Sequence, residues 1–113
     1  MVNIHDTANQ LEQDLRETSQ YNELKEAHKN VLADEEAAEI LNEFQSLQQK
    51  LQKKQQAGEE ITEEEAQEAQ VLPIKMQSNE LTKELMEKEQ GLNTLLTEVN
   101  GIIMKPVQEI YEQ

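Results

Sequence analysis

The sequence predicts an all-α protein, an elongated bundle of long antiparallel helices in which residues 1–113 form a single helical domain. Three observations support this class. Ala, Glu, Lys, Leu and Arg account for 52 of 113 residues, a share typical of long helices. Apolar residues recur every three or four positions, as on one helix face. Three Gly and two Pro leave little material for turns, and the single Phe predicts a thin, Leu-rich core.

The first third of the chain predicts two short helices or one bent helix, and the sequence leaves both open. Asn3 is a candidate N-cap, with Asp6 favoured near the positive end of the helix dipole. Thr18 and Ser19 indicate a break with a new N-cap. The positions that share a face on either side of this break are Ile4, Ala8, Leu11 and Leu15, then Tyr21, Leu24, either Ala27 or His28, and Val31 with Leu32.

The middle of the chain predicts a helical hairpin with a polar tip. Asp34 is the expected N-cap of its first arm, whose apolar face comprises Ala37, Ile40, Leu41, Phe44, Leu47 and Leu51. Gly58 is a plausible end of that arm, and Thr62 with Glu65 fits a capping box for the second arm. We expect the tip lysines Lys50, Lys53 and Lys54 to face acids on the other arm, in exposed pairs that contribute about 0–1 kcal/mol each.

The second arm of the hairpin contains a proline. Its predicted apolar side comprises Ala66, Ala69, Leu72 and Met76. Pro73 lacks a backbone N–H and crowds the preceding turn, so we expect it to kink or end the helix near Val71 or Leu72. Ser78 or Asn79 could then cap the next helix.

The last helix, predicted from Leu81 to about Lys105, organises the rest of the chain. Its apolar residues form three rows, namely Leu81, Leu85, Leu92, Leu95, Leu96, Val99, Ile102 and Ile103. Pro106 is expected to interrupt it, before a final turn or two containing Val107, Ile110 and Tyr111. Gly91 and Gly101 within it suggest either close helix approach or simple tolerance.

The three-row face is wider than the other predicted helices can cover. A second copy of the same helix would cover the remaining rows, because a self-complementary patch closes on itself. We therefore predict a homodimer, with Lys88 near the edge of the contact. The candidate interface residues are Leu92, Leu96, Val99 and Ile103.

Charge and composition exclude several classes of function. The formal net charge is −14 and Arg16 is the only arginine, so no basic patch exists for nucleic acid or an anionic membrane. The absence of Cys excludes disulfides and thiolate chemistry. The polar N-terminus does not resemble a signal peptide, and no apolar run is long enough to span a bilayer, so we expect a cytoplasmic protein.

No constellation of catalytic or metal-binding residues is found in the sequence. His5 and His28 are the only histidines, and neither follows a glutamate at the three-residue spacing of helical di-metal sites. The acidic run from Glu59 to Glu65 is best interpreted as a solvated helix start. No phosphate loop or nucleophile turn is present. We therefore predict no catalytic residue, no cofactor and no metal, and hence no enzyme.

Three stretches carry a family resemblance that spans nearly the whole chain. They are NIHDTANQLEQDLRETSQYNELKEA, ADEEAAEILNEFQSLQQKLQKKQQAGEEITEEE and NELTKELMEKEQGLNTLLTEVNGIIMKPVQEIY. They resemble the YlbF/YmcA-like family of small bacterial proteins, most of all its YheA branch. The resemblance implies an all-helical, dimeric protein, with relatives that act as non-enzymatic partners in a complex affecting RNA processing, competence, sporulation and biofilm formation. Those relatives bind an iron–sulfur cluster through cysteines that this chain lacks.

Two hypotheses of different class follow, and an enzyme is a distant third. The leading one is a non-catalytic cytoplasmic protein that self-associates and binds a protein partner as a regulatory adaptor. The alternative is a chaperone-like holdase, whose polar-tipped hairpin and adjoining grooves shield clients. A single stoichiometric partner would favour the adaptor, whereas binding of unfolded chains in an apolar groove would favour the holdase.

Overall fold

The computed structural model describes residues 2–112, which form five α-helices and no strand. The helices are α1 (Ile4–Arg16), α2 (Ser19–Ala33), α3 (Glu35–Ala57), α4 (Glu63–Ser78) and α5 (Glu80–Tyr111). The predicted all-α class is therefore confirmed. Contacts divide the described chain into a central unit, residues 27–86, and a terminal unit, residues 2–26 with 87–112. Helices α2 and α5 each contribute one part to both units.

Polar side chains that accept backbone hydrogen bonds determine where the first three helices begin. The Asn3 side chain accepts from the Asp6 amide at 3.3 Å, as the sequence predicts. Thr18 resolves the open question about the first third, because its hydroxyl accepts from the Tyr21 amide at 3.2 Å and caps a separate α2. The Asp34 carboxylate accepts from the Ala37 amide at 2.9 Å and begins α3. Each cap satisfies an amide that has no partner within its own helix.

A buried threonine fixes the corner between α4 and α5. Asn79 caps α5, since its side-chain oxygen accepts from the amides of Leu81 at 3.0 Å and Thr82 at 3.2 Å. The Thr82 hydroxyl donates to the Met76 carbonyl at 2.6 Å, and the residue is completely buried. This bond satisfies a carbonyl near the end of α4, which would otherwise lack a helical partner.

The central unit is built on the α3–α4 hairpin. The two helices pack against each other along the arms that the sequence predicts. Gly58 ends α3 in the left-handed conformation (φ 70°), which glycine adopts without steric cost. The apolar core lies entirely in this unit and consists of Ala27, Val31, Ala37, Leu41, Leu47, Leu72, Met76 and Leu85.

The expectation that Pro73 ends its helix and that Pro106 interrupts its helix is wrong, whereas the alternative of a kink at Pro73 stays a prediction. Helix α4 continues through Pro73 to Ser78, and α5 continues through Pro106 to Tyr111. A proline removes only one amide donor from a helix. Burial of Leu72 and Met76, on either side of Pro73, supplies packing energy that offsets this loss in α4.

Close helix approach does not explain the two glycines of α5 within a single chain. A Cβ atom built on Gly91 or Gly101 meets no atom within 4 Å. Both positions therefore have room for a side chain, which agrees with the simpler interpretation that the helix tolerates them.

Candidate interaction surfaces

The terminal unit leaves its apolar side chains exposed or half-buried within one chain. No described residue of this unit is buried. On α1, the predicted apolar face is exposed at Ile4 and Leu11 and half-buried only at Leu15. Monomeric proteins rarely expose large contiguous apolar patches, so exposed helix faces of this kind mark candidate interaction sites.

The four predicted interface residues lie on α5 in the terminal unit. Their spacing of four, three and four residues places them on one helix face. Leu92 and Val99 are half-buried, whereas Leu96 is 40% and Ile103 is 57% exposed. The face is therefore available for contact.

The exposed face extends further than the sequence predicts. Because α5 does not stop at Pro106, Val107 and Ile110 continue the spacing that begins at Leu92 and reaches Ile103. Ile110 is 69% exposed. The three-to-four spacing across the proline was the signal that could have extended the prediction. We call the residues Leu92, Leu96, Val99, Ile103, Val107 and Ile110 the α5 surface.

The α5 surface is also poor in charge. Between Glu89 and Glu109 only Glu98 and Lys105 are charged, in a chain with a net charge of −14. Lys88, at the start of this region, lies 3.5 Å from the Glu23 carboxylate of α2 and remains partly exposed. Depletion of charge is a feature of the buried centre of protein interfaces.

An ion pair near the hairpin tip is less exposed than the sequence predicts. Lys54 at the end of α3 donates to Glu65 Oε1, and Glu65 is a buried residue. The same oxygen accepts from the Thr62 amide and hydroxyl, each at 3.0 Å, which completes the predicted capping box. The bond from Lys54 and the bond from the Thr62 amide lower the pKa of Glu65 from 4.5 to about 2. This network orients the hairpin tip.

An open groove lies along one side of the hairpin in the central unit. Its apolar lining comes from α3, α4 and the start of α5, and consists of Ile40, Val71, Ile74 and Leu81. Five carboxylates line it as well, Asp34, Glu36, Glu39, Glu43 and Glu80. Lys75 is the one basic residue of this lining and lies 3.6 Å from the Glu43 carboxylate. We call it the α3–α4 groove; no sequence pattern predicts it, because it depends on how α3 and α4 pack.

Neither a metal-binding cluster nor a membrane-spanning helix is found in the described residues. Within residues 2–112, no group of three or more His, Cys, Asp or Glu side chains is arranged to hold a metal ion. Both His5 and His28 are exposed. No described helix combines the length and apolar character needed to cross a membrane.

These elements together define the class of protein: an all-helical protein with a packed hairpin, exposed apolar helix faces and an acidic groove. The chain belongs to the family described as "Control of competence regulator ComK, YlbF/YmcA", whose model matches residues 4–108. The resemblance found in the sequence is thereby confirmed. The match spans all five helices and stops just before the last turn of α5.

Bacterial relatives share the whole length of the chain. A UPF0342 protein of Pediococcus pentosaceus is 46% identical over 111 residues, which cover 98% of this chain and 97% of the relative. A UPF0342 protein of Staphylococcus aureus is 46% identical over 110 residues, which cover 97% and 96%. Such identity over full lengths indicates a common fold.

Solved structures support the same fold. A DUF964 protein of unknown function from Bacillus stearothermophilus matches with a TM-score of 0.88 at 34% identity, covering 97% of this chain and 96% of that one. Bacillus subtilis YheA matches with a TM-score of 0.77 at 33% identity, covering 97% and 100%. Bacillus subtilis RicA, solved in complex with RicF, matches with a TM-score of 0.66 at 20% identity, covering 96% of each chain, which is a likeness of fold alone.

Proposed function

We propose that this protein is a non-catalytic adaptor that forms a homodimer through the α5 surface and binds another protein. The observation that carries the proposal is the exposed, charge-poor apolar face of α5 in the terminal unit. Burial of such a face in an interface is favourable, because apolar area is removed from water. The cost of desolvating charged groups is small, because few charges lie near the face.

A second copy of α5 is the occupant that fits this face best. The α5 surface presents one regular apolar stripe, and a two-fold axis brings two such stripes together with the same residues on both sides. The few charges near the stripe limit repulsion between two chains that each carry a net charge of −14. An unrelated acidic partner would gain no comparable match.

The adaptor part of the proposal is supported by the family. Its description concerns control of the competence regulator ComK, which is a regulatory rather than a catalytic role. RicA, a relative by fold, has been solved in complex with a different protein, RicF. We infer that this chain, which has the same fold, also binds a protein partner.

Sedimentation of the full chain tests the homodimer. We expect a dimer mass for the wild type at micromolar concentration and a shift towards monomer for Leu96→Glu, because a buried charge opposes association. Leu96 is already 40% exposed, so the substitution does not open the core of the central unit. Ile103→Asp should produce the same shift and guards against a folding defect peculiar to one variant.

Ile61→Glu is the matched control for these variants. Ile61 is also exposed, but it lies in the α3–α4 connection and is not part of the α5 surface. The Ile61→Glu substitution introduces the same charge at an exposed apolar position and should leave the dimer mass unchanged. A wild type that stays monomeric at high micromolar concentration would refute self-association.

A holdase function is the second candidate, favoured by the exposed apolar side chains of both α1 and α5. A holdase suppresses aggregation of many unfolded clients, whereas an adaptor binds one folded partner with fixed stoichiometry. Light scattering by a heat-denatured model client would distinguish them. Suppression by the wild type and none by Leu96→Glu would favour the holdase, and no suppression by either would favour the adaptor.

A further inference from the structure

We propose that the α3–α4 groove binds a basic amphipathic helix of a partner protein. The proposal rests on the adaptor function, because it assumes that the chain binds a protein partner. It assigns that partner to residues that are not part of the α5 surface. The groove belongs to the central unit and the α5 surface to the terminal unit, so the two can be tested independently.

The apolar lining of the groove gives the first argument. Val71 is 49% and Ile74 is 65% exposed, although both lie in a helix whose other face forms the core. Ile40 and Leu81 are half-buried beside them. A stripe of this kind, formed where two helices pack, suits the apolar face of a third helix.

The charge of the lining selects the chemistry of that helix. Five carboxylates and one lysine line the groove, and the lysine is already paired with Glu43. Lys or Arg residues that flank an apolar stripe would meet these carboxylates, and such complementarity raises association rates and specificity. Nucleic acid and anionic lipid would be repelled by the same carboxylates.

Other occupants match the groove less well. A second copy of this chain would bring two acidic linings together, which costs free energy. A small molecule would remain largely in water, because the groove is open, whereas small-molecule pockets enclose most of the ligand. A helix with a basic border satisfies both the apolar and the acidic parts of the lining.

Binding of a designed peptide tests the proposal directly. The probe is an 18-residue, fluorescein-labelled peptide with Leu at helical spacing flanked by Lys and Arg, added to the full-length protein and followed by anisotropy. We expect saturable binding that weakens with added salt. A peptide of the same composition in scrambled order, and one with Glu in place of Lys and Arg, should bind at least tenfold more weakly.

Removal of groove carboxylates tests whether the peptide binds in the groove. We expect the triple variant Glu36→Gln, Glu39→Gln and Glu80→Gln to weaken peptide binding about tenfold at low salt. The control triple, Glu59→Gln, Glu60→Gln and Glu89→Gln, changes the net charge equally at exposed positions outside the groove and should bind as the wild type does.

The apolar lining is tested at a second position. Ile74→Ala should weaken binding about fivefold, because the exposed side chain loses apolar contact with the peptide. Ile61→Ala removes the same atoms from an exposed position outside the groove and should have no effect. Equal binding of the scrambled peptide, or groove variants that bind as tightly as their controls, would overturn the proposal.

Sedimentation of the same samples separates this proposal from the homodimer. A dimeric wild type that does not bind the peptide would refute the groove and leave self-association standing. A monomeric wild type that binds the peptide through Ile74 and the three carboxylates would refute self-association and support the groove as the binding site. Loss of the dimer in Ile74→Ala would refute the assignment of separate surfaces.

Discussion

The central and terminal units carry equal formal charge but differ in how they use their apolar residues. The central unit has 13 acidic and 6 basic residues, and the terminal unit has 11 and 4. All the buried residues lie in the central unit, whereas the described part of the terminal unit has none. Charge therefore does not distinguish the two regions, and burial does.

The contrast shows how a thin helical chain divides its apolar residues between folding and association. The buried side chains of the central unit include residues from α2, α3, α4 and α5, so its core is closed within one chain. A core of this size is modest for folding. In the homodimer proposed above, a second chain that covers the apolar face of α5 would further stabilise the folded protein.

The largest expected difference between the units is in the cost of removing a leucine side chain. Leu85→Ala in the central unit should lower the free energy of unfolding by about 2–5 kcal/mol, because Leu85 is only 1% exposed and its loss leaves a cavity. Leu96→Ala in the terminal unit should cost less than about 1 kcal/mol at low protein concentration. Urea denaturation measures both, and equal losses would contradict the division.

Local sequence signals predicted most of the fold. The caps at Asn3, Asp34 and Thr62 each depend on a side chain and an amide three residues away, so the sequence contains both partners. The helix ends predicted at Pro73 and Pro106 were wrong because the missing hydrogen bond is local, whereas the packing that offsets it is not.

The candidate sites were less predictable for a related reason. The spacing on α5 identified an apolar face, but periodicity does not say whether the same chain or another one covers it. Glu65 was recognised as a capping residue, while its bond to Lys54 depends on how α3 and α4 pack. The α3–α4 groove has no sequence signature, because its lining comes from residues as distant as Ile40 and Ile74.

A smaller difference is expected for two threonine hydroxyls that donate to backbone carbonyls. Thr82 is completely buried in the central unit, whereas Thr94 in the terminal unit donates to the Gln90 carbonyl at 3.0 Å and is exposed. Thr82→Val should lower the free energy of unfolding by about 1–3 kcal/mol, since the Met76 carbonyl loses its donor in a buried site.

Thr94→Val is the control for this comparison. Water can replace the lost bond at an exposed carbonyl, so its effect should lie within about 0.5 kcal/mol. Thermal or urea unfolding of the two variants at one low concentration makes the measurement. A Thr82→Val variant as stable as Thr94→Val would show that the α4–α5 corner does not depend on the buried hydroxyl.

The finest difference concerns two ion pairs and their response to pH. Lys54–Glu65 in the central unit is largely buried, whereas Arg16–Glu12 in the terminal unit is exposed on both sides at 2.8 Å. Because Lys54 and Thr62 lower the pKa of Glu65 from 4.5 to about 2, the folded state binds this proton less readily than the unfolded state. The resulting stabilisation is complete above pH 4.5 and is lost as the pH falls towards 2.

Glu65→Gln should remove this pH-dependent part of the stability while keeping the capping box, since Gln at the third helical position also bonds back to the N-cap. The difference in free energy of unfolding between wild type and Glu65→Gln should therefore be constant from pH 7 to 5 and shrink between pH 4.5 and 2. Glu12→Gln should change the free energy of unfolding at pH 7 only slightly, because exposed pairs contribute little. Urea unfolding at each pH supplies the values. If the difference in free energy of unfolding between wild type and Glu65→Gln stays constant down to pH 2, ionisation of Glu65 does not stabilise the hairpin tip. The Lys54–Glu65 and Arg16–Glu12 pairs would then not differ in their contribution to stability.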